Sequence, residues 1–400
     1  MKKLILSVLL ALAVLPARAA ELQFVESVPA GTVYGSPLTA RPQAVWTEMI
    51  GSARKTLDLE EFYVAEQPGQ ALTPVLDAVK AAARRGVKVR LIVDAGMMSE
   101  TGKILPALKE AGVDARVIDF KKAGGGIQHA KFFVVDDAQV FVGSQNFDWR
   151  SLVQIHEVGL RITSREAAAQ FERVFAGDWA IAGGADPKTA FAGPGQAALT
   201  AAKPGTARLN GASVSYYLAF GPKGYIPTGD DVEIDDLLKV VNAAKRTIRG
   251  QVMTYALAEY GSPRWTALDS ALRAAAARGV KVDLVFADWA MGGRADADIK
   301  ALAKTPNISV KISSLPEAST GFIPYARVEH CKYMTVDGKI AYVSTSNWGP
   351  SYFLATRSAA VFVEGAPAAA VLDDIFARTW NGPYVRPVDP LKEYKPVKRS

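Results

Sequence analysis

The sequence predicts an α/β protein made of two homologous α/β/α halves packed as a pseudo-twofold pair within one chain. Three observations lead there. Short segments recur in the second half of the chain in the same order. Apolar helical stripes alternate with buried strand patterns, which implies a mixed sheet covered by helices. The length of 400 residues is about what two or three average domains need.

The recurrence is specific. Ala53-Arg54-Lys55-Thr56-Leu57 returns as Ala244-Lys245-Arg246-Thr247-Ile248, and Arg85-Gly86-Val87-Lys88-Val89 as Arg278-Gly279-Val280-Lys281-Val282. His129-Ala130-Lys131-Phe132 returns as His330-Cys331-Lys332-Tyr333, and Phe175 to Trp179 as Phe376 to Trp380. The offset grows from 191 to 193 to 201 and then holds, as loop insertions in the second copy would make it. The period is that of a duplicated domain, not of a solenoid.

The first twenty residues carry Lys2 and Lys3, an apolar run from Leu4 to Leu15, and Ala17-Arg18-Ala19. They read as a signal peptide cut near residue 19 or 20, and the run is short for a membrane span. The expected location is the periplasm or the external medium, with no stable membrane span. Loss of Lys2, Lys3 and Arg18 lowers the formal charge from +7 to +4, a mild bias suited to an anionic substrate. With 49% apolar and 22% charged residues the chain is neither disordered nor a coiled coil. Cys331 is the one cysteine, so no intrachain disulfide supports the fold.

Residues 21–185 form the expected first half. Leu72, Val75, Leu76, Val79, Ala82 and Ala83 make a helical stripe that Gly86 ends, and Val87 to Val93 reads as a buried strand. Residues 186–211, rich in Ala, Gly and Pro, read as a linker. In the second half, residues 212–382, Leu268, Leu272 and Ala275 repeat the stripe and Val280 to Phe286 the strand. Residues 383–400, with four prolines, read as an extended tail.

The chemistry centres on the histidines, of which there are three. Two open the same pattern, His-x-Lys-x4-Asp: His129, Lys131, Asp136 and His330, Lys332, Asp337. A given histidine meets that pattern by chance about once in 400, taking Lys and Asp each at about one residue in 20. On a strand, His and Lys two apart share a face, whereas Asp seven residues on points the other way. His and Lys therefore address something together, and Asp braces the scaffold within the same motif. Val142-Gly143-Ser144-Gln145-Asn146 and Val343-Ser344-Thr345-Ser346-Asn347 follow, each offering a hydroxyl and an amide as donors for a phosphate oxygen. With the halves face to face, two lysines can hold a phosphodiester, one imidazole can attack phosphorus, and the other can protonate the leaving oxygen. The clustered carboxylates and thiols of a metal site are missing, so no metal and no cofactor is expected.

These motifs resemble the phospholipase D superfamily. The resemblance implies its two-half fold, catalytic roles for the two His-Lys-Asp sets with Asn146 and Asn347, phosphate contacts at Ser144 and Thr345, and a histidine-orienting role for Glu157. At the offset of 201, Glu157 corresponds to Ser358, so the histidines are braced unequally. Val25 to Pro29, Asp148 to Leu152, Ile323 to Val328, and Thr345 to Trp348 followed by Tyr352-Phe353 look narrower still. They are similar to the lysosomal phospholipase-D-like 5′-exonucleases and the poxvirus envelope branch. That likeness implies a 5′-exonuclease on single-stranded DNA or RNA, in what looks like a bacterial secreted member.

Trp348 and Tyr352 are the preferred base-stacking candidates, ahead of Phe147, Trp149, Tyr325 and Phe353. Arg150 and Arg327 could contact phosphates or pair with carboxylates. His156 is expected to be structural or exposed, Cys331 a buried thiol facing away, and Gly124-Gly125-Gly126 a loop. A phospholipase D acting on lipid headgroups is the alternative, since its chemistry is the same. A non-enzymatic binder would be expected to have lost one His-Lys pair. Monomer and homodimer are both open, because one chain already supplies both half-sites.

Overall fold

The computed structural model describes residues 19–193, 198–258 and 263–400; most of the expected signal peptide, and Pro194 of the expected linker, lie outside the described residues. The first half builds a sheet in the order Asp114–Ile118, Lys88–Asp94, Thr56–Glu61, Phe132–Val135, Gln139–Gly143, Glu157–Thr163, Ala20–Ser27. The first three strands are mutually parallel and the rest antiparallel. The second half repeats this with Ile308–Ser313, Lys281–Ala287, Thr247–Val252, Lys332–Val336, Ile340–Ser344, Ser358–Glu364 and Ala212–Gly221. The mixed α/β sheet of the sequence reading is present in both copies.

Gly205–Leu209 lies within the stretch read as a linker, yet it is a strand. It runs parallel to Ala20–Ser27 and antiparallel to Ala212–Gly221, so both sheets join in one hydrogen-bonded ladder. Beyond it, Val385–Pro387 adds to the edge strand Ile308–Ser313, and the chain then runs extended across the second half.

Strand parity sorts the core. Phe132 and Val134 enter one central cluster with Tyr333 and Val343 of the other half, whereas Phe133 and Val135 enter an outer cluster. The central cluster also takes Phe171, Val174 and Phe175 from helix Arg165–Ala182 and Leu372, Ile375 and Phe376 from helix Ala366–Trp380. Those two helices carry the repeated Phe-to-Trp segment. The outer faces are covered by helices Pro42–Ser52 and Thr73–Arg84 in one half and Glu233–Ala243 and Ala267–Ala277 in the other. Burying whole faces of both sheets in one cluster fixes the halves against each other by the dominant stabilising term.

Asp136 and Asp337 explain why the first repeat exists. Each sits in a left-handed turn, with φ of 53° and 56°, a conformation Asp tolerates better than most residues. The Asp136 carboxylate accepts from the backbone N–H groups of Arg54, Lys55 and Thr56 at 2.8, 2.7 and 3.0 Å. Asp337 accepts from Lys245, Arg246 and Thr247 at 2.9, 2.7 and 2.9 Å. Both aspartates lie past the far ends of the motif strands from His129 and His330. These contacts are scaffold contacts, on the side that parity predicts, and place both aspartates apart from the histidines with which they were grouped as catalytic.

Candidate active site

The two motif segments meet where the halves join. The His129 N–H donates to the Arg357 carbonyl (3.2 Å) and the His330 N–H to the His156 carbonyl (2.9 Å), so each histidine backbone is held by the opposite half. Both residues are buried, at 4% and 9% exposure. Phe62 packs against the His129 ring (4.9 Å) on one side and Tyr352 (5.1 Å) on another.

The histidines are braced unequally. His330 Nδ1 lies 2.5 Å from Glu157 Oε1, and His129 Nδ1 lies 2.9 Å from the Thr345 carbonyl oxygen. A hydrogen bond from each Nδ1–H, the tautomer this network implies, leaves each Nε2 lone pair available. The Ser358 hydroxyl, at the position matching Glu157, is instead bound to the buried carboxylate of Glu233, which also takes the hydroxyls of Tyr342, Ser344 and Ser346.

Lys131 Nζ donates to its own motif's His129 carbonyl (2.7 Å) and Lys332 Nζ to that of His330 (2.9 Å). Burial, then the neighbouring Lys332, holds Lys131 well below the usual lysine range. Burial pushes Lys332 down to about 8, although Glu157 opposes it. Burial and the two lysines hold both imidazoles well below their ordinary value, hence neutral. Burial lifts Glu157 and Glu61 well above the usual carboxylate range, while Lys131 pulls both back. Two ammonium groups crowded in a dry cleft are relieved by an anion between them, so the site is prepared for a phosphodiester.

Asn146 and Asn347 are buried at 5% and 2%, and each has an amide oxygen with no hydrogen-bond partner, at the same position in both copies. Rotation of either amide would present a donor there instead. Ser144 and Thr345, expected to contact phosphate, are fully buried. Their buried hydroxyls accept from the Val158 and Ala359 N–H groups (3.1 Å each) and continue the sheet ladder. Trp348 is a correction. It is 1% exposed and packs in the second outer core, where it approaches Gly250 and Phe286, so it presents no face to a base. Phe147 and Phe353 are likewise core residues. Tyr325 is 53% exposed, and Tyr352 is half-buried against His129.

Arg150 pairs with Asp148 (2.8 Å), and Arg327 binds the carbonyls of Pro316 and Ala30. Cys331 is buried and faces the central core. Gly126 lets the first motif's loop pass the second half, since a Cβ there would lie 2.5 Å from the Ala355 carbonyl oxygen. The sequence reading missed Glu61, Phe62 and Asp94. Three acids, Asp58, Glu60 and Glu61, in a short strand with Leu57 and Leu59 were the available signal.

Two histidines and two lysines converging from duplicated halves define a phosphodiesterase class of known construction. A family model described as "Cardiolipin synthase, PLD-like domain" matches the chain twice, over residues 46–179 and 237–380. The chain therefore belongs to the phospholipase D-like family and is a phosphodiesterase of that superfamily. It is 32% identical to the 5′-3′ exonuclease PLD3 of Bos taurus, over 92% of this chain and 81% of that one. Phospholipase D Z of Dictyostelium discoideum is also 32% identical, over 92% and 90%. Among solved structures, phosphatidylserine synthase from Haemophilus influenzae Rd KW20 superposes with a TM-score of 0.58 at 12% identity, covering 86% of this chain and 85% of that one. Polyphosphate kinase from Porphyromonas gingivalis gives 0.57 at 13%, covering 94% and 50%. These two likenesses establish the fold.

Proposed function

We propose that this protein shortens single-stranded DNA or RNA from the 5′ end, through a covalent phosphohistidine on His330 and without a metal. The observation that carries the mechanism is the Glu157–His330 contact. A carboxylate behind Nδ1 makes Nε2 the better nucleophile and stabilises the positive charge the ring gains on bonding to phosphorus. In the first step, the anionic phosphodiester draws a proton onto His129 as it binds; His330 Nε2 then attacks phosphorus, the bond to the leaving oxygen breaks, and His129 gives that oxygen its proton. In the second, His129, now neutral, takes a proton from water as the water oxygen attacks phosphorus and His330 departs. Lys131 and Lys332 offset the charge that grows on the phosphoryl oxygens.

The substrate reading is supported by the name of the PLD3 relatives and by aromatic surface at Tyr325 and Tyr352. The Dictyostelium relative's name favours the second reading, a phospholipase D acting on lipid headgroups. No helix among the described residues is long and apolar enough to cross a membrane. Export to the periplasm or medium belongs to the same proposal and is tested by cell fractionation.

The decisive experiment incubates residues 21–400 in excess EDTA with a single-stranded oligonucleotide labelled at its 3′ end, beside vesicles assayed for released choline or ethanolamine. Stepwise shortening from the 5′ end that is absent in His129→Ala supports the proposal. Headgroup release with an intact oligonucleotide replaces it with the lipid reading. Loss of activity in EDTA, restored by one divalent ion, overturns the metal-free mechanism.

A further inference from the structure

Two buried ionic clusters lie beside the catalytic groups, at positions related by the duplication. In the first, the Arg357 guanidinium pairs with Asp178 at 2.6 and 2.9 Å and donates to the Gly221 and Tyr225 carbonyls (2.6 Å each). In the second, His156 stands in the place of Arg357, since the two are 201 residues apart, as are His129 and His330. His156 Nδ1 lies 2.8 Å from Glu329 Oε2, and its Nε2 lies 3.1 Å from Glu26 Oε1.

Each cluster forms an isolated parallel bridge between the halves, Gln128 with Arg357 and His156 with Glu329. In the second bridge the His156 N–H donates to the Val328 carbonyl (3.1 Å) and the His330 N–H to the His156 carbonyl (2.9 Å). Glu157 follows His156 in the chain, and His330 follows Glu329. The bridge therefore sets the register in which Glu157 Oε1 meets His330 Nδ1.

An imidazole with a carboxylate oxygen at each nitrogen satisfies both hydrogen bonds only when both nitrogens carry protons. The surroundings agree. Glu26 also accepts from Ser36 N–H and the Thr39 hydroxyl (2.7 Å each) and has Arg41 at 3.5 Å. Glu329 accepts from Cys331 N–H (3.2 Å), and the Cys331 thiol lies 3.6 Å from the His156 carbonyl. The Tyr34 ring lies tilted against the imidazole at 4.6 Å. The Gln251 Nε2, which donates to the Thr379 hydroxyl while its Oε1 accepts from Tyr333, lies 3.2 Å from Nδ1 and, among the described residues, is the one neighbour that competes with Glu329 for that nitrogen. Burial alone would keep this ring neutral. Cys331, which burial keeps as an uncharged thiol, adds no charge at neutral pH, and the Glu329 and Glu26 carboxylates, one at each nitrogen, work against burial to raise the ring's pKa.

We propose that His156 is a positioning residue, an imidazolium clamp that holds Glu157 against His330 and is the titratable counterpart of the permanent Arg357 lock. The proposal rests on the reading of His330 as a catalytic residue. Deprotonation of His156 leaves Glu26 and Glu329 buried with no cation between them, and the bridge that aligns the site loosens. A site misplaced by about 1 Å loses about a hundredfold in rate.

The test uses the three histidine rings, followed by nitrogen-15 NMR against pH in the intact protein. His156 is assigned from its variant. The expected spectrum shows His156 with both nitrogens protonated at pH 7, while His129 and His330 are neutral. Activity is read on bis(p-nitrophenyl) phosphate, which needs no strand-binding surface. His156→Gln is expected to lower kcat about tenfold to a hundredfold with little change in KM, and His156→Arg to restore most of it. A neutral His156 at pH 7 overturns the proposal, as does a folded Gln variant with unchanged kcat. If neither variant folds, the wild-type titration decides. Failure of the wild type to cleave the diester would remove the catalytic reading and leave the titration result standing.

Discussion

Glu157 Oε1 lies 2.5 Å from His330 Nδ1, although the two residues come from opposite halves of the duplicated chain. Among the described residues no carboxylate of the second half does the same for His129, which leans on the Thr345 carbonyl. Glu157→Gln is therefore expected to separate the two histidines' roles. The amide keeps the shape but can force the wrong tautomer on His330, so kcat should fall about 10²–10⁴-fold with KM nearly constant. Steady-state kinetics on a small phosphodiester, with circular dichroism to check folding, measures it.

The covalent step can be caught directly. In His129→Ala the proton donor is missing, but a p-nitrophenolate leaving group departs without one. A phosphodiester carrying that group should label the peptide that contains His330 and stall there. Label on the peptide of His129 in His330→Ala, with none on His330, would reverse the assignment.

Lys332 sets an alkaline limit. Its pKa in the free protein is about 8, and its cationic form exists below that value. The profile of kcat/KM is expected to fall as pH rises through about 8. Bound oxyanion favours the charged lysine and above that value has to protonate it on binding, so inorganic sulfate, which has the same charge at both values, should raise the Tm less at pH 8.5 than at pH 6, as scanning calorimetry would show. Equal shifts at both values would mean that the lysines do not take up a proton on binding.

Asp136 should act on stability alone. Its three backbone hydrogen bonds hold its carboxylate below the usual range, although burial works against them. That stability is present above the unfolded carboxylate value and is lost as pH falls through the lower folded one. Asp136→Asn keeps a side chain that tolerates the left-handed turn. It should cost about 1–3 kcal/mol in urea unfolding and leave activity per folded molecule nearly intact. A folded Asn variant as inactive as His129→Ala would return Asp136 to the site.

The aromatic residues give a paired test. Trp348→Ala opens a cavity in a filled core and should cost about 3–5 kcal/mol. Tyr352→Ala removes a ring beside His129 and should raise KM for an oligonucleotide more than for bis(p-nitrophenyl) phosphate. Chemical denaturation and the two KM values separate the cases.

The duplicated fold and the His-Lys pairs were legible because both rest on spacing. Repeats survive as offsets, and strand parity assigns faces without knowledge of tertiary structure. Parity also placed Asp136 correctly, although its partners, three backbone amides about 80 residues earlier, leave only the faint trace of a second repeat. Ser144 and Thr345 were ambiguous because a hydroxyl that completes a ladder looks, in sequence, like one that meets a ligand. Trp348 misled because adjacency to Asn347 says nothing about which way a side chain turns after a strand ends. His156 was the least readable, since both of its acidic partners lie more than 100 residues away.

The strand Gly205–Leu209 stitches the first strand of the chain to the second half. A pair of lobes joined by a loose tether could gape like a jaw to take in substrate and let product go. Here the seam is sewn through the sheets, so the cleft is a fixed slot. For the exonuclease activity proposed above, such a slot would favour entry of a strand by its end.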